Sequence, residues 1–232
     1  MSAHRPQLEL WIDADDTLWE NNVYFERAFA EFADYLGHSR YSSVEVRALL
    51  DEIEHVSNRV HGYGSANFAR NLEQCFERHS ERGIAEADRV RIRQWGHELF
   101  HHPLELIDGV EETLAYLTGR HRLMLCTKGN SAEQQSKVER SGLARHFQHV
   151  RVVKEKDVAC YRRLAEERGV AETECWMIGN SPKSDINPAL AAGLGAVYIP
   201  HANTWHLEHE PVPEQHERLL VLDSFTALRS HF

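Results

Sequence analysis

The chain has 232 residues, 42% of them hydrophobic and 27% charged, with a formal net charge of −10. Such proportions exclude a disordered tail, a collagen-like chain and a coiled-coil rod. The acidic balance lacks the footprint for non-specific nucleic-acid binding or for an anionic membrane surface, so neither is expected as a partner.

At roughly 150 residues per domain, the length predicts about 1.5 domains: one domain with a large insertion, or two small ones. Cys75, Cys126, Cys160 and Cys175 form no CxxC pair and no zinc spacing. Reduced thiols are the simplest reading. The opening MSAHRPQ has no apolar core of a secretory signal, and no apolar run approaches the ~18 residues of a membrane span. A cytoplasmic protein is expected.

In chain order, LELWI (8–12) is a short apolar run that stops at DADD, a buried strand meeting a loop. Residues 19–102 read as about four helices. Phe25, Phe29, Phe32 and Leu36 form one helical stripe. Val44, Leu49, Ile53, Val56 and Val60 predict a second helix, Phe68, Leu72, Cys75 and Phe76 a third, and Val90, Ile92, Trp95, Leu99 and Phe100 a fourth. From Asp108 the pattern alternates. Helices are predicted over 110–117, 132–141, 158–168 and 186–192. Strands are predicted at LMLC (123–126), HVRVV (149–153), CWMIG (175–179), AVYIP (196–200) and LLVLD (219–223), before a short C-terminal helix. Such alternation predicts a doubly wound, mainly parallel α/β sheet, with its chemistry outside the carboxyl ends of the strands.

The residues after each strand are therefore the candidates. Asp13, Asp15 and Thr17 follow the first strand as DxDxT. Thr127 and Lys128 follow LMLC, Lys154 and Lys156 follow HVRVV, and Asn180, Ser181 and Asp185 follow CWMIG. Singly, each has a plain structural reading: a turn, a helix cap, a solvated lysine, or a Ser184 or Asp185 cap on the next helix. Together, and in this order, they suit phosphoryl transfer through an aspartyl phosphate. One carboxylate attacks, and a second, two residues on, protonates the leaving alkoxide and then activates water. A hydroxyl and an ammonium steady the phosphoryl oxygens. Magnesium suits carboxylate and phosphate oxygens.

With these motifs the sequence resembles the haloacid dehalogenase-like hydrolase superfamily along essentially its whole length. The first motif stands as Asp13-Ala14-Asp15-Asp16-Thr17, the second as Thr127, the third as Lys156 rather than Lys154, and the fourth as Gly179 to Asp185. The resemblance implies Asp13 as nucleophile, Asp15 as general acid/base, and Thr127 and Lys156 as phosphate ligands. It also implies a magnesium site drawn from Asp13, Asp15, Asn180 and Asp185. The long gap between the first two motifs resembles an α-helical cap, giving a core of residues 1–18 and 104–232 and a cap of residues 19–103. The resemblance predicts a small phosphorylated substrate and a monomer or homodimer.

Two positions depart from the pattern. Asn180 stands where the family has an acidic metal ligand, which predicts weaker metal binding or Asp185 as the main acidic ligand. Lys128 stands where many members have Asn, and either adds a phosphate contact or is a solvated side chain. Dehalogenases of the family lack the acid/base Asp at the position of Asp15 and need no magnesium, so Asp15 argues for phosphate ester hydrolysis. A dehalogenase-type hydrolase and a non-catalytic binding member remain the alternatives. His201, His206 and His209 match no strong zinc template. Their segment reads as a packed surface loop, or as one over the site with Trp205 or His201 near substrate. Asn21 and Asn22 read as caps of the first helix or as substrate contacts, and Cys126 as a buried structural thiol.

Overall fold

Apolar runs that end abruptly at polar loops become the strands of one sheet in the computed structural model, which describes residues 7–232. The strands are β1 (Glu9–Ile12), β2 (Arg122–Lys128), β3 (His149–Val153), β4 (Cys175–Gly179), β5 (Gly195–Tyr198) and β6 (Leu219–Val221). The helices are α1 (Asn22–Leu36), α2 (Ser43–His61), α3 (Ser65–His79), α4 (Glu86–His101), α5 (Val110–Thr118), α6 (Ser131–Ser141), α7 (Val158–Arg168) and α8 (Asn187–Ala192).

All neighbouring strands pair in parallel, in the order β3-β2-β1-β4-β5-β6. This is a doubly wound α/β core with a Rossmann-like strand order. The order reverses between β1 and β4, which opens a crevice at their carboxyl ends. Ile12 is in register with both Leu125 and Ile178, so the residue that follows it emerges between β2 and β4.

Successive strand residues face opposite sides. Leu10, Ile12, Leu123, Leu125 and Ile178 pack with α5 and α6 residues such as Leu114 and Val138. Trp11, Met124, Cys126 and Met177 pack on the other side with Tyr161 and Leu164 of α7 and Ala189 of α8. Cys126 is thus a buried core thiol, and burial pushes it up to about 12.

The chain divides into two units. One takes the chain as far as Asn22 and again from Leu104, and the other is Val23–Pro103. The second unit is helical, with Phe29, Phe32, Leu50, Phe68, Leu72, Phe76, Ile92 and Trp95 in its core. Its α2 begins at a capping box: Glu45 N–H donates to Ser42 Oγ, and Ser42 N–H to the Glu45 carboxylate.

Two local expectations are corrected. The buried stripe of α2 is Val46, Leu50 and Ile53, while Val44, Val56 and Val60 are exposed; on α4, Val90 is exposed. Apolar residues occur on both sides of α2, so their number does not fix the packed side. Helix α8 begins at Asn187, after a π-helical turn over Pro182–Ile186. That turn is capped by Ser181, whose Oγ accepts from Ser184 N–H at 2.9 Å, so neither Ser184 nor Asp185 is the cap. The short C-terminal helix expected after β6 is a 3₁₀ helix over Phe225–Ser230.

Candidate active site

Asp13 leaves β1 with its backbone N–H still donating to Ile178 O, at 2.9 Å, so its position is set by the sheet. Its carboxylate is paired with the Lys156 ammonium, which also donates to Asp185 Oδ1 at 2.6 Å. The three side chains are buried. Lys156 stands after β3, and Asp185 on the π turn after β4, so one buried cation joins the ends of three strands. Lys154, two residues before it, is exposed.

Gly179 makes this geometry possible: a Cβ there would overlap the Asp185 carboxylate. Asp185 is further held by Ser181 N–H on Oδ2 at 3.0 Å. Burial pushes the Asp13 carboxyl up to about 7, against the pull of Lys156; Asp185 and Asp15 add to the rise.

Thr17 Oγ lies 3.3 Å from Asp13 Oδ2 and 3.2 Å from Asn180 Oδ1, and donates between them. Asn180 Nδ2 donates to Thr204 Oγ1 at 2.9 Å. Thr127 is buried at the end of β2, its hydroxyl at 3.5 Å from Lys128 O.

Asp15 points into a different set of donors. Lys137 Nζ reaches its two oxygens at 2.9 and 3.0 Å, Gln134 Nε2 donates at 2.8 Å and Trp19 Nε1 at 2.7 Å. Burial alone would raise this carboxyl, but Lys137 and the neutral donors more than offset it and hold it below the usual range. Lys128 Nζ donates to Glu208 Oε1 at 2.6 Å and Ser184 Oγ at 2.9 Å.

Asp16 has a left-handed backbone, φ 58°, a conformation Asp tolerates better than most residues. Its carboxylate accepts from Asn21 N–H at 2.9 Å and Asn22 N–H at 3.0 Å, so Asp16 caps the start of α1. Burial pushes Asp16 up to about 6. Asn21 Oδ1 accepts from Lys137 Nζ, and Asn22 Nδ2 donates to Asn203 O.

Ligand atoms of Asp16, Glu20 and His201 lie within 4.8 Å of one another. Asn203 N–H donates to His201 Nδ1 at 3.3 Å, which leaves Nε2–H for Glu20 at 3.2 Å. His209 Nε2 lies 3.1 Å from Thr204 O.

Of the residues expected at the site, Asp13, Lys156, Asp185, Thr17 and Asn180 meet in one linked group. Asp15 and Lys128 meet side chains that sequence reading did not single out, Lys137, Gln134, Trp19 and Glu208, and Lys128 also meets Ser184. One signal was available. The lysines are Lys128, Lys137, Lys154, Lys156 and Lys183 alone, all in the second half of a chain otherwise rich in arginine.

Among the described residues, no helix is long and apolar enough to cross a membrane. Residues 11–193 match the haloacid dehalogenase-like hydrolase family. The phosphoserine phosphatase of Thermus thermophilus is 26% identical over 76% of this chain and 70% of its own length. The N-acylneuraminate-9-phosphatase of Mus musculus is 24% identical over 88% of this chain and 87% of its own. A haloacid dehalogenase-like family hydrolase from Xanthomonas campestris, solved as a crystal structure, is 29% identical over 97% of this chain and 94% of its own, with a TM-score of 0.84. A 2-haloacid dehalogenase from Pseudomonas syringae pv. Tomato shares the fold at 17% identity, 97% coverage of both chains and a TM-score of 0.65. The chain belongs to the haloacid dehalogenase-like hydrolase family, with phosphatases among its relatives.

Proposed function

We propose that the chain hydrolyses a small phosphate monoester with Asp13 as nucleophile. The observation that carries this reading is the buried bridge of Lys156 between Asp13 and Asp185 at the carboxyl ends of the central strands. Asp13 attacks phosphorus, the P–O bond to the leaving group breaks, and Lys156 and Thr127 offset charge on the phosphoryl oxygens. Asp15 then takes a proton from the water that hydrolyses the aspartyl phosphate. Its three donors favour the carboxylate, the form a base requires. An alkoxide leaving group needs a proton from Asp15 in the first step, whereas an aryl leaving group departs without one.

A hard dication fits the donor set, since Asp13, Asn180 and Asp185 offer oxygen alone; magnesium would supply charge against the carboxylate–phosphate repulsion. Among the described residues, Asp13 Oδ2 accepts from the Thr17 hydroxyl alone, so it retains acceptor capacity. Asn180 brings no charge, and Asp185 is already shared with Lys156, which supports a weakly held ion. The helical unit is read as the cap that selects the leaving group. The four buried, unpaired cysteines support a reducing, cytoplasmic setting.

The test is turnover of a generic aryl phosphate, with and without magnesium, by the native protein and by Asp13→Asn. Turnover that vanishes in a folded Asp13→Asn is expected; turnover that persists there removes Asp13 from the mechanism. A second reading, hydrolysis of a carbon–halogen bond, is favoured by Asn180, which brings no charge to a metal site. Metal-independent chloride release from 2-chloropropionate would establish it.

A further inference from the structure

Glu208 is a buried carboxylate beside the site that the chemistry above does not use. It lies on the 3₁₀ turn His206–Glu208, in the loop after β5. Its Oε1 accepts from Lys128 Nζ at 2.6 Å, and its Oε2 from Ser181 Oγ at 2.6 Å and from Ser184 Oγ. Lys183 Nζ donates to Leu207 O at 2.9 Å, a second tie between the same two segments.

These donors are not scattered. Lys128 directly follows Thr127, Ser181 caps the π turn that carries Asp185, and Ser184 immediately precedes Asp185 on it. Ser181 N–H holds Asp185 Oδ2, and Asp185 Oδ1 takes Lys156, so Ser181 and Asp185 connect Glu208 to the nucleophile's cation. A carboxylate this buried needs a counter-charge, and Lys128 supplies it. The Lys128 charge is thereby already neutralised next to the place where an anionic substrate must enter.

We propose that Glu208 is a positioning residue: it clamps the turn carrying Asp185 and withholds the Lys128 ammonium from a phosphate in the site. The proposal rests on the phosphate-ester reading, and its two halves act in opposite directions. Loss of the clamp slows the chemical step. Loss of the counter-charge strengthens phosphate binding. A merely structural role would weaken both.

The experiment uses Glu208→Gln in the full chain, with aryl phosphate kinetics, calorimetric titration of inorganic phosphate and circular dichroism. The expected kcat falls about tenfold or more, the scale of a small misplacement of catalytic groups. The phosphate Kd is expected to tighten ~5-fold from the released charge. Adding Lys128→Met cancels the tighter binding and leaves kcat low. Parallel loss of kcat and phosphate affinity, or no change in either, overturns the proposal. If Glu208→Gln does not fold, Ser181→Ala decides: kcat falls with phosphate affinity unchanged, and an unchanged kcat overturns it. If the native chain turns over no phosphate ester, the phosphate-ester reading fails, while the phosphate titrations still decide whether Glu208 restrains Lys128.

Discussion

Arginines hold the acidic groups of the helical unit, and lysines hold those at the functional end of the sheet. In the helical unit Arg47 pairs with Asp51 and Glu54, Arg82 with Asp88, and Arg89 with Glu73 and Glu77. At the carboxyl end of the sheet Lys128 pairs with Glu208, Lys137 with Asp15, and Lys156 with Asp13 and Asp185. The α/β unit uses arginine too: Arg122 and Arg168 meet Glu9 at the start of β1, and Arg145 pairs with Glu111 and Arg163 with Glu167 at exposed positions. The difference is chemical. A planar guanidinium fixes a carboxylate in a rigid fork, exposed as at Glu77 or buried as at Glu54 and Asp88, whereas a compact ammonium fits between the two buried carboxylates of Asp13 and Asp185.

Lys156→Met should break the comparison most severely. It removes the cation from two buried carboxylates, and removing one partner of a buried pair costs about 3–5 kcal/mol. Urea unfolding should show that loss, or one slightly reduced if Asp13 takes up a proton to remove its charge; a loss under ~1 kcal/mol would mean that the bridge is not a buried ion pair. Next comes Gly179→Ala. The added methyl group must push Asp185 aside, at about 1–3 kcal/mol for overpacking, and aryl phosphate turnover should fall with it. Unchanged turnover would separate Asp185 from the chemistry.

Arg89→Met tests the arginine side of the comparison. Its partners Glu73 and Glu77 are partly exposed, so the expected loss is within ~1 kcal/mol and shrinks as salt is added. A loss near that of Lys156→Met would erase the contrast between the two units.

The strands, Asp13, Asp185 and a lysine after β3 were legible because each rests on a local pattern, an apolar run and then polar residues beyond its carboxyl end; the family resemblance selected Lys156 over Lys154. Parallel pairing brings such ends together whatever lies between them. The packed side of α2 was not legible, because Val44, Val56 and Val60 compete with Val46, Leu50 and Ile53 for the same description. Which stripe is buried depends on partners distant in the chain. Buried Glu54 shows the same limit, since its charge is met by Arg47, seven residues earlier. Lys137 and Glu208 were missed for a related reason. One sits on an otherwise ordinary polar helix and the other in a loop without periodicity, and each acquires a role only through its ion pair.

The smallest expected effect concerns His146, buried in the α/β unit near Thr118. Burial, with Arg145 nearby, holds its imidazole below the usual 6.5. The unfolded chain therefore takes up the proton first as pH falls. The stability that depends on the neutral ring is complete above about pH 6.5 and is lost as pH drops toward the folded value. The raised carboxyls of Asp13 and Asp16 act oppositely, gaining relative stability as pH falls, so the native curve alone does not isolate the ring. The difference between native protein and His146→Gln does, because both share those carboxylates. From pH 7.5 to pH 5.5 the native Tm should fall relative to that of His146→Gln. Parallel Tm curves would mean that the ring titrates alike in the folded and unfolded chain.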